Sequence, residues 1–94
     1  MAMLKAELDD PVTALAELDV LLEERLARYN NPLHPEVIRT RFGQARVIAR
    51  TGDVETAAAL LRQVRDDRAR VLGEDHPDTL AAQAELDGLS ETDR

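Results

Sequence analysis

The chain has 94 residues, enough for one small domain, and its 44% apolar but only 2% aromatic content predicts a core of Leu, Ala, Val and Ile. The absence of cysteine excludes disulfides, thiolate metal sites and a cysteine nucleophile. A formal net charge of −7 argues against general binding to nucleic acid, and no apolar run is long enough to cross a membrane. Because the start also lacks an apolar signal sequence, we expect a cytoplasmic protein with no membrane partner.

The first predicted helix extends from Pro11 to Tyr29. Its leucines recur at helical spacing and form one apolar stripe: Leu15, Leu18, Leu22 and Leu26. Proline suits the first turn of a helix, because the N–H group that it lacks would have no partner there. The run NNPLHP, residues 30–35, is rich in helix breakers and ends this helix.

The second predicted helix starts at Pro35 and runs to about Arg50. Four apolar residues fall inside it: Val37, Ile38, Ala45 and Ile48. Gly52 is placed to stop this helix, since glycine adopts the left-handed conformation at little cost.

The third predicted helix, residues 54–72, ends at Gly73, and the fourth begins at Pro77. Apolar residues at helical spacing mark both: Val54, Ala57, Leu61, Val64 and Leu72 in the third, and Leu80, Leu86 and Leu89 in the fourth. Asp66 and Arg70 are one turn apart and are expected to form an ion pair. No stretch alternates with a period of two, so the predicted fold class is all-α, with four main helices.

The charges are unevenly distributed along the chain. The net charge is −4 over residues 1–35 (seven acids, three bases), +3 over residues 36–51 (one acid, four bases), zero over residues 52–72 (four of each) and −6 over residues 73–94 (seven acids, one base). One basic segment therefore lies between acidic ones. In the third helix, Asp66 and Asp67 offset a group of four arginines: Arg62, Arg65, Arg68 and Arg70.

A histidine followed by proline occurs twice, at residues 34–35 and again 42 residues later at residues 76–77. Both pairs stand at a predicted helix start. There, proline fits the first helical position, the acid that follows favours the positive end of the helix dipole, and the preceding residue caps the helix. Residues at the same offset also match elsewhere: Val12 with Val54, Leu18 with Leu60, Ala27 with Ala69 and Arg28 with Arg70.

This structural account explains the cluster GEDHPDTL, residues 73–80, without a catalytic or metal-binding role. Histidines that bind one metal usually lie close together on one element, and His34 and His76 do not. The sequence contains no G-x-S-x-G, no glycine-rich phosphate loop and no other catalytic signature. We therefore expect no enzyme activity, no metal and no cofactor.

The run HPEVIRTRFGQARVIARTGDVETAAALLRQVRDDRARVLGEDHPDTLAAQAEL resembles the 42-residue variety of tetratricopeptide repeat found in kinesin light chains and many bacterial multidomain proteins. The residues that carry the resemblance are Ala45, Gly52, Asp53, Ala57, Leu61, Val64 and the segment 72–80, LGEDHPDTL. Residues 34–86 match well, residues 10–33 match as a diverged copy, and residues 2–9 resemble the tail of an earlier helix. Asp19 and Gln44 depart from the pattern, because the family usually has apolar residues there.

The resemblance implies one domain over residues 1–94, with repeat copies at about 10–51 and 52–94, the last incomplete. It also implies antiparallel helix pairs stacked into a right-handed superhelix with a concave groove, and a role in binding other proteins. The third predicted helix is then an outer one, so its arginines, together with Asp66 and Asp67, are expected to form a solvent face of mixed charge. Each pair cannot bury its apolar face alone, so neighbouring pairs must stack. With about two pairs, the chain is expected either to belong to a longer array or to complete its core by self-association, for example as a homodimer.

The resemblance places the groove along the second predicted helix, at Arg39, Phe42, Arg46, Ala49 and Arg50. Independently of the family, four of these residues share one helical face by their spacing: Arg39, Phe42, Arg46 and Arg50, here called the basic face. Guanidinium groups bind carboxylates through paired hydrogen bonds, and phenylalanine can anchor an apolar side chain. The basic face therefore predicts that the groove binds an acidic peptide or a C-terminal carboxylate, and the resemblance implies that the module belongs to a scaffold or regulatory protein.

Two plainer interpretations of the basic face stay open. Its arginines can be paired within the fold by acids of the first helix, namely Glu17, Asp19, Glu23 and Glu24. Phe42 can belong to the core. The alternative function is self-association, in which the open helical ends pack on a second copy.

Overall fold

The computed structural model describes residues 10–92, and the helix tail predicted at residues 2–9 lies outside them. Four α-helices make up this part of the chain: α1 (Pro11–Tyr29), α2 (Pro35–Arg50), α3 (Val54–Leu72) and α4 (Pro77–Thr92). No strand occurs within the described residues. The all-α prediction is confirmed. The four helices begin, and the first three end, where the breakers and caps predicted.

Side chains of aspartate cap the two longer helices. The Asp10 carboxylate accepts hydrogen bonds from the Val12 N–H (3.0 Å) and the Thr13 hydroxyl (2.8 Å) at the start of α1. The Asp53 carboxylate accepts from the Thr56 N–H (3.3 Å) at the start of α3. Both caps satisfy N–H groups that have no partner inside the helix.

Histidine does the same at the other two helix starts. Nδ1 of His34 accepts from the Glu36 N–H (3.1 Å), and Nδ1 of His76 accepts from the Asp78 N–H (3.0 Å). The capping role predicted for both histidines is confirmed. In addition, the rings of Tyr29 and His34 stack with their centroids 3.6 Å apart and their planes 8° apart, which ties the end of α1 to the start of α2.

The helix boundaries repeat, with a small difference between the two kinds of helix. Helices α2 and α4 start 42 residues apart, at Pro35 and Pro77. Helices α1 and α3 start 43 residues apart and also end 43 residues apart, at Tyr29 and Leu72. The difference arises because the connection after α1, residues 30–34, is one residue longer than the connection after α3, residues 73–76.

The helices pack in chain order. Helix α1 contacts only α2, α2 contacts α3, α3 contacts α4, and α2 and α4 also touch each other. Because the connections are short, each helix packs beside the helix that precedes it, as in antiparallel helical hairpins. The result is a slab of 41 × 40 × 20 Å. None of the four described helices is both long enough and apolar enough to span a bilayer.

The core lies between α2, α3 and α4. One buried cluster joins Ile38, Val64 and Ala82, and a second joins Ala45, Leu61 and Leu86. The fully buried Val37, Leu61 and Val64 each contribute about 1.5–3 kcal/mol by leaving water.

Helix α1 buries much less. It contains no buried residue, and its stripe is half-buried at Leu15, Leu18 and Leu22 and more exposed at Leu26. The reason is that α1 contacts one helix only, whereas α3 is held between α2 and α4. The predicted stripe is therefore used only in part within the described residues.

Candidate functional site

The basic face lies on the side of α2 that borders α4. The side chain of Arg39 is 76% exposed and that of Arg46 is 58% exposed, and Arg50 is also exposed at the end of the helix. Nε of Arg46 lies 3.7 Å from a carboxylate oxygen of Glu85 on α4. The spacing thus places guanidinium groups along a surface that two helices share.

Phe42 stands at the edge of the core rather than freely in solvent. It is half-buried and packs against both buried clusters. The guanidinium carbon of Arg46 lies 5.8 Å from the centre of its ring, and that of Arg68 on α3 lies 4.5 Å from it. Both distances suit cation–π attraction. Phe42 therefore serves the core and also orients a guanidinium group of the basic face.

The acids that meet Arg39 and Arg46 are not those expected on the first helix. Arg39 lies 3.9 Å from Glu36 on its own helix, and Arg46 lies beside Glu85 on α4. Such exposed pairs contribute about 0.2–1 kcal/mol each. The alternative that the basic face is paired within the fold thus holds for Arg39 and Arg46, but through Glu36 and Glu85 and not through acids of α1.

Asp19 and Gln44, the two polar residues that depart from the repeat pattern, contact each other. The Gln44 side-chain amide donates a 2.7 Å hydrogen bond to the Asp19 carboxylate, which joins α2 to α1. Close by, Leu18 lies against Gly43, where an added Cβ would stand 3.6 Å from the leucine side chain. A polar pair thus replaces an apolar contact between these helices.

A half-buried ion pair joins α2 to α3 and was not anticipated. The Arg41 guanidinium donates a 2.9 Å hydrogen bond to the Asp67 carboxylate, and the two side chains are only 16% and 15% exposed. The available signal was the spacing of Arg41 from Ile38 and Ala45, which places an arginine on an otherwise apolar helical face. Asp67 is therefore not part of a solvent face.

Arg68 overturns the interpretation of α3 as a helix with all its arginines in solvent. Its side chain belongs to the buried set, with the residue 7% exposed, and Nη1 donates a 2.9 Å hydrogen bond to the Asp78 backbone carbonyl. Burial lowers the pKa of the Arg68 guanidinium from its usual value, and nearby Arg39 lowers this pKa further, while Asp78 opposes the shift. Its position one turn after Val64 continues the buried stripe, which was the missed signal.

The predicted Asp66–Arg70 pair is also wrong. Asp66 instead accepts hydrogen bonds from the neighbouring Arg65, at 2.8 and 3.1 Å, and Arg65 reaches Gln83 on α4 at 2.7 Å. Arg65 thus joins Asp66 of its own helix to Gln83 of α4, and Asp66 is paired with Arg65 and not with Arg70. Arg62 and Arg70 remain exposed, as predicted.

A second surface, the outer face of α1, carries exposed apolar groups with acids among them. It consists of Thr13, Ala16, Glu17, Val20, Leu21 and Glu24. Val20 is 55% exposed and Leu21 is 37% exposed. At the 43-residue offset, Leu21 corresponds to Val64, which is buried in α3 against its neighbours. The correspondence holds for Leu21 alone, because Val20 corresponds to Gln63, which is exposed in α3 as well.

Metal-binding groups are not assembled in the part of the chain that the structure describes. No three residues among its His, Asp and Glu side chains are placed to hold one ion. Both histidines use Nδ1 for helix caps.

Comparison of the chain with protein-family models, curated proteins and solved structures finds no match. Membership of the tetratricopeptide repeat family therefore stays a prediction from the sequence motifs. The described residues establish four helices in serial contact, with the basic face between α2 and α4.

Proposed function

We propose that this protein is an interaction module of the tetratricopeptide kind, which docks an acidic segment of a partner protein against the basic face and catalyses no reaction. The observation that carries the proposal is the exposure of Arg39 and Arg46 beside Phe42 on one surface of α2. In such a module the partner gains affinity from paired hydrogen bonds to guanidinium groups and from an apolar anchor.

The loose pairing of the two arginines supports this function. Their distances to acids, 3.9 Å for Arg39 and 3.7 Å for Arg46, are longer than the 2.9 Å between Arg41 and Asp67. An incoming carboxylate can displace a loosely held, exposed acid at small cost. Arg41, in contrast, is committed to holding α2 on α3.

The helix arrangement agrees with the repeat stacking that the sequence resembles. The starts of α2 and α4 are 42 residues apart and carry the same histidine cap, and the two helices touch each other. In a right-handed superhelix they would line the inner wall, with the basic face turned to the groove. We expect the module to belong to a scaffold or regulatory protein.

A selection experiment tests the proposal with a defined probe. A displayed library of random peptides is selected on the parent protein and on the double variant Arg39→Glu/Arg46→Glu, and the sequences enriched on each are compared. We expect acidic peptides with an apolar residue to be enriched on the parent only. Enrichment of the same peptides on both proteins, or of no acidic peptides on the parent, would reject docking at the basic face.

Self-association is the second candidate function, and the outer face of α1 favours it. Its apolar residues are exposed, and its acids, Glu17 and Glu24, complement the exposed Arg39 and Arg46 of a second copy. We therefore take the occupant to be helix α2 of a second molecule. In this arrangement the basic face is filled by the protein itself.

The molar mass in solution, measured as the protein is diluted, distinguishes self-association from docking of a partner segment. Light scattering on the parent and on Val20→Glu, a change at an exposed position that should leave the fold intact, would show a constant dimer for the parent and a monomer for the variant if the protein self-associates. A parent that is monomeric throughout excludes this second candidate and leaves the basic face open to a partner.

A further inference from the structure

A cleft borders the basic face at Arg39. It has a volume of about 190 Å³ and lies where the start of α2, the end of α3 and the start of α4 meet. Its lining consists of Pro35, Glu36, Ile38, Arg39, Arg68, Val71, Leu72 and Asp78, here called the Arg68 cleft. The cleft therefore combines two guanidinium groups with several aliphatic side chains.

Arg68 is the unusual member of this set. It is a charged side chain more than nine-tenths removed from solvent, yet no carboxylate among the described residues lies within ion-pair distance of it. Its one hydrogen bond goes to a neutral acceptor, the Asp78 carbonyl, and its other contact is the ring of Phe42. A buried charge without an opposite charge in contact is costly, and a bound anion that accepts its hydrogen bonds offsets part of that cost.

Arg39 adds a second positive charge to the same cleft. It is close enough to Arg68 to lower the pKa of that guanidinium, so the two like charges face a common space. The acids of the cleft neutralise them only in part. Glu36 is shared with Arg25 of α1 at 3.6 Å, and the Asp78 carboxylate acts on Arg68 from beyond ion-pair distance.

The aliphatic side of the cleft defines the rest of the ligand. Val71 is 42% exposed and Leu72 is 36% exposed, and both line the cleft with Ile38. Exposed aliphatic surface favours a ligand with a short branched hydrocarbon group. The volume is that of a small molecule and not of an extended chain.

We propose that the Arg68 cleft binds a small aliphatic monocarboxylate, with the carboxylate between Arg39 and Arg68 and the hydrocarbon group against Val71 and Leu72. The site does not depend on the docking of a peptide. Because Arg39 also belongs to the basic face, an occupied cleft engages one of the arginines that a partner segment would use.

The test uses 4-methylpentanoate as the probe and the amide spectrum of the isotope-labelled full chain, together with the Nε–Hε signal of Arg68. For a ligand of about eight non-hydrogen atoms, we expect saturating shifts of Arg68 and of the cleft residues with a dissociation constant in the millimolar range. Acetate, which lacks the hydrocarbon group, and 4-methylpentanamide, which lacks the charge, should each bind at least about tenfold more weakly.

Variants at exposed positions keep the test independent of folding. Arg39→Gln should weaken binding of the probe at least about tenfold, whereas Arg46→Gln, an equal change outside the cleft, should leave it unaltered. Asp78→Asn should strengthen binding, because it removes a negative charge that competes for Arg68. The proposal is overturned if the probe causes no saturating shift at Arg68. It is also overturned if Arg39→Gln and Arg46→Gln weaken binding of the probe equally.

One further probe separates a free acid from the end of a peptide. N-acetyl-leucine presents the same carboxylate and side chain as a C-terminal leucine. Binding of N-acetyl-leucine at least tenfold tighter than 4-methylpentanoate would overturn the small-acid proposal in favour of a peptide end. Because 4-methylpentanoate does not reach Arg46, its failure to bind leaves peptide docking on the basic face unaffected.

Discussion

Two histidines in this chain act as helix caps, and the same short motif, histidine followed by proline, builds both. In each case Nδ1 accepts the N–H of the residue two positions later. This bond needs only the local backbone, which explains why the sequence predicted it correctly. The stack of Tyr29 on His34 distinguishes the two sites, because α3 ends at Leu72 whereas α1 ends at the aromatic Tyr29.

Replacing the histidines measures this capping directly. His76→Ala should lower the free energy of unfolding by about 1 kcal/mol, because an N–H group loses its acceptor, whereas His76→Asn should change it by only a few tenths. At His34 the asparagine variant should be less stable than the parent, because asparagine caps but cannot stack on Tyr29. Urea unfolding followed by circular dichroism checks both comparisons, and equal stability of His76→Ala and the parent would contradict the capping role.

The Asp10 cap predicts a dependence on pH. The Thr13 hydroxyl, followed by the Val12 N–H, lowers the pKa of Asp10 from its usual value. Because the folded pKa lies below the unfolded one, the ionised carboxylate stabilises the fold above the unfolded pKa, and this stabilisation is lost as pH falls through the folded pKa. The difference in unfolding free energy between the parent and Asp10→Ala should therefore be constant near neutral pH and shrink below about pH 4. A difference that does not change over this range would contradict the account.

The patterns of single residues did not predict which charged side chains pair with each other. Arg68, which the resemblance assigned to a solvent face, is buried against Phe42, and Asp67 pairs with Arg41 on another helix. Charge balance along one helix says which residues can pair, but the packing of α2 and α4 on α3 decides which do.

At the scale of whole elements, the ends of the helices followed from local chemistry. Gly52 has a φ of +98°, a conformation that a side chain strains, and it follows Arg50 where the sequence placed the break. Which helices touch could be anticipated only from short connections and repeat spacing. The partial burial of the leucine stripe on α1 was not predictable, because it depends on which helices flank α1.

A matched pair of glycine substitutions tests the break after α2. Gly52→Ala should lower the free energy of unfolding by about 1 kcal/mol, because alanine disfavours positive φ. Gly88→Ala, inside α4 where an added Cβ meets no atom within 4 Å, should raise it by about 0.5–1 kcal/mol. Thermal unfolding of both variants measures the two effects, and shifts in the same direction would contradict the assignment.

The ion pair between α2 and α3 gives a second prediction at this scale. Arg41→Met should destabilise the fold by about 3 kcal/mol, because it leaves the largely buried Asp67 carboxylate without a partner. The double variant Arg41→Met/Asp67→Leu should recover most of this loss, since no uncompensated charge remains. Denaturant unfolding of the single and double variants decides this. If the double variant is as unstable as the single one, the loss of stability comes from lost packing of the two side chains and not from an unpaired charge.

At the scale of the molecule, the described residues form a thin slab in which the buried core occupies one part. Helices α2, α3 and α4 share the core, and α1 is attached through half-buried leucines, the Asp19–Gln44 bond and the Tyr29–His34 stack. The basic face and the outer face of α1 are both exposed on this slab. The spacing of its residues predicted the basic face as one helical face, whereas the outer face of α1 was not predicted, because its exposure depends on which helices flank α1.

The central claim is that the basic face binds an acidic segment, and one calorimetric comparison tests it most directly. A peptide enriched on the parent protein is titrated into the parent, into Arg39→Glu/Arg46→Glu and into Arg62→Glu/Arg70→Glu, which makes the same charge change on exposed positions of α3. We expect the first double variant to bind at least about tenfold more weakly, because charge-assisted hydrogen bonds are lost and repulsion replaces them. The second should bind within a few-fold of the parent. Equal weakening of both variants, or none in either, would contradict docking at the basic face.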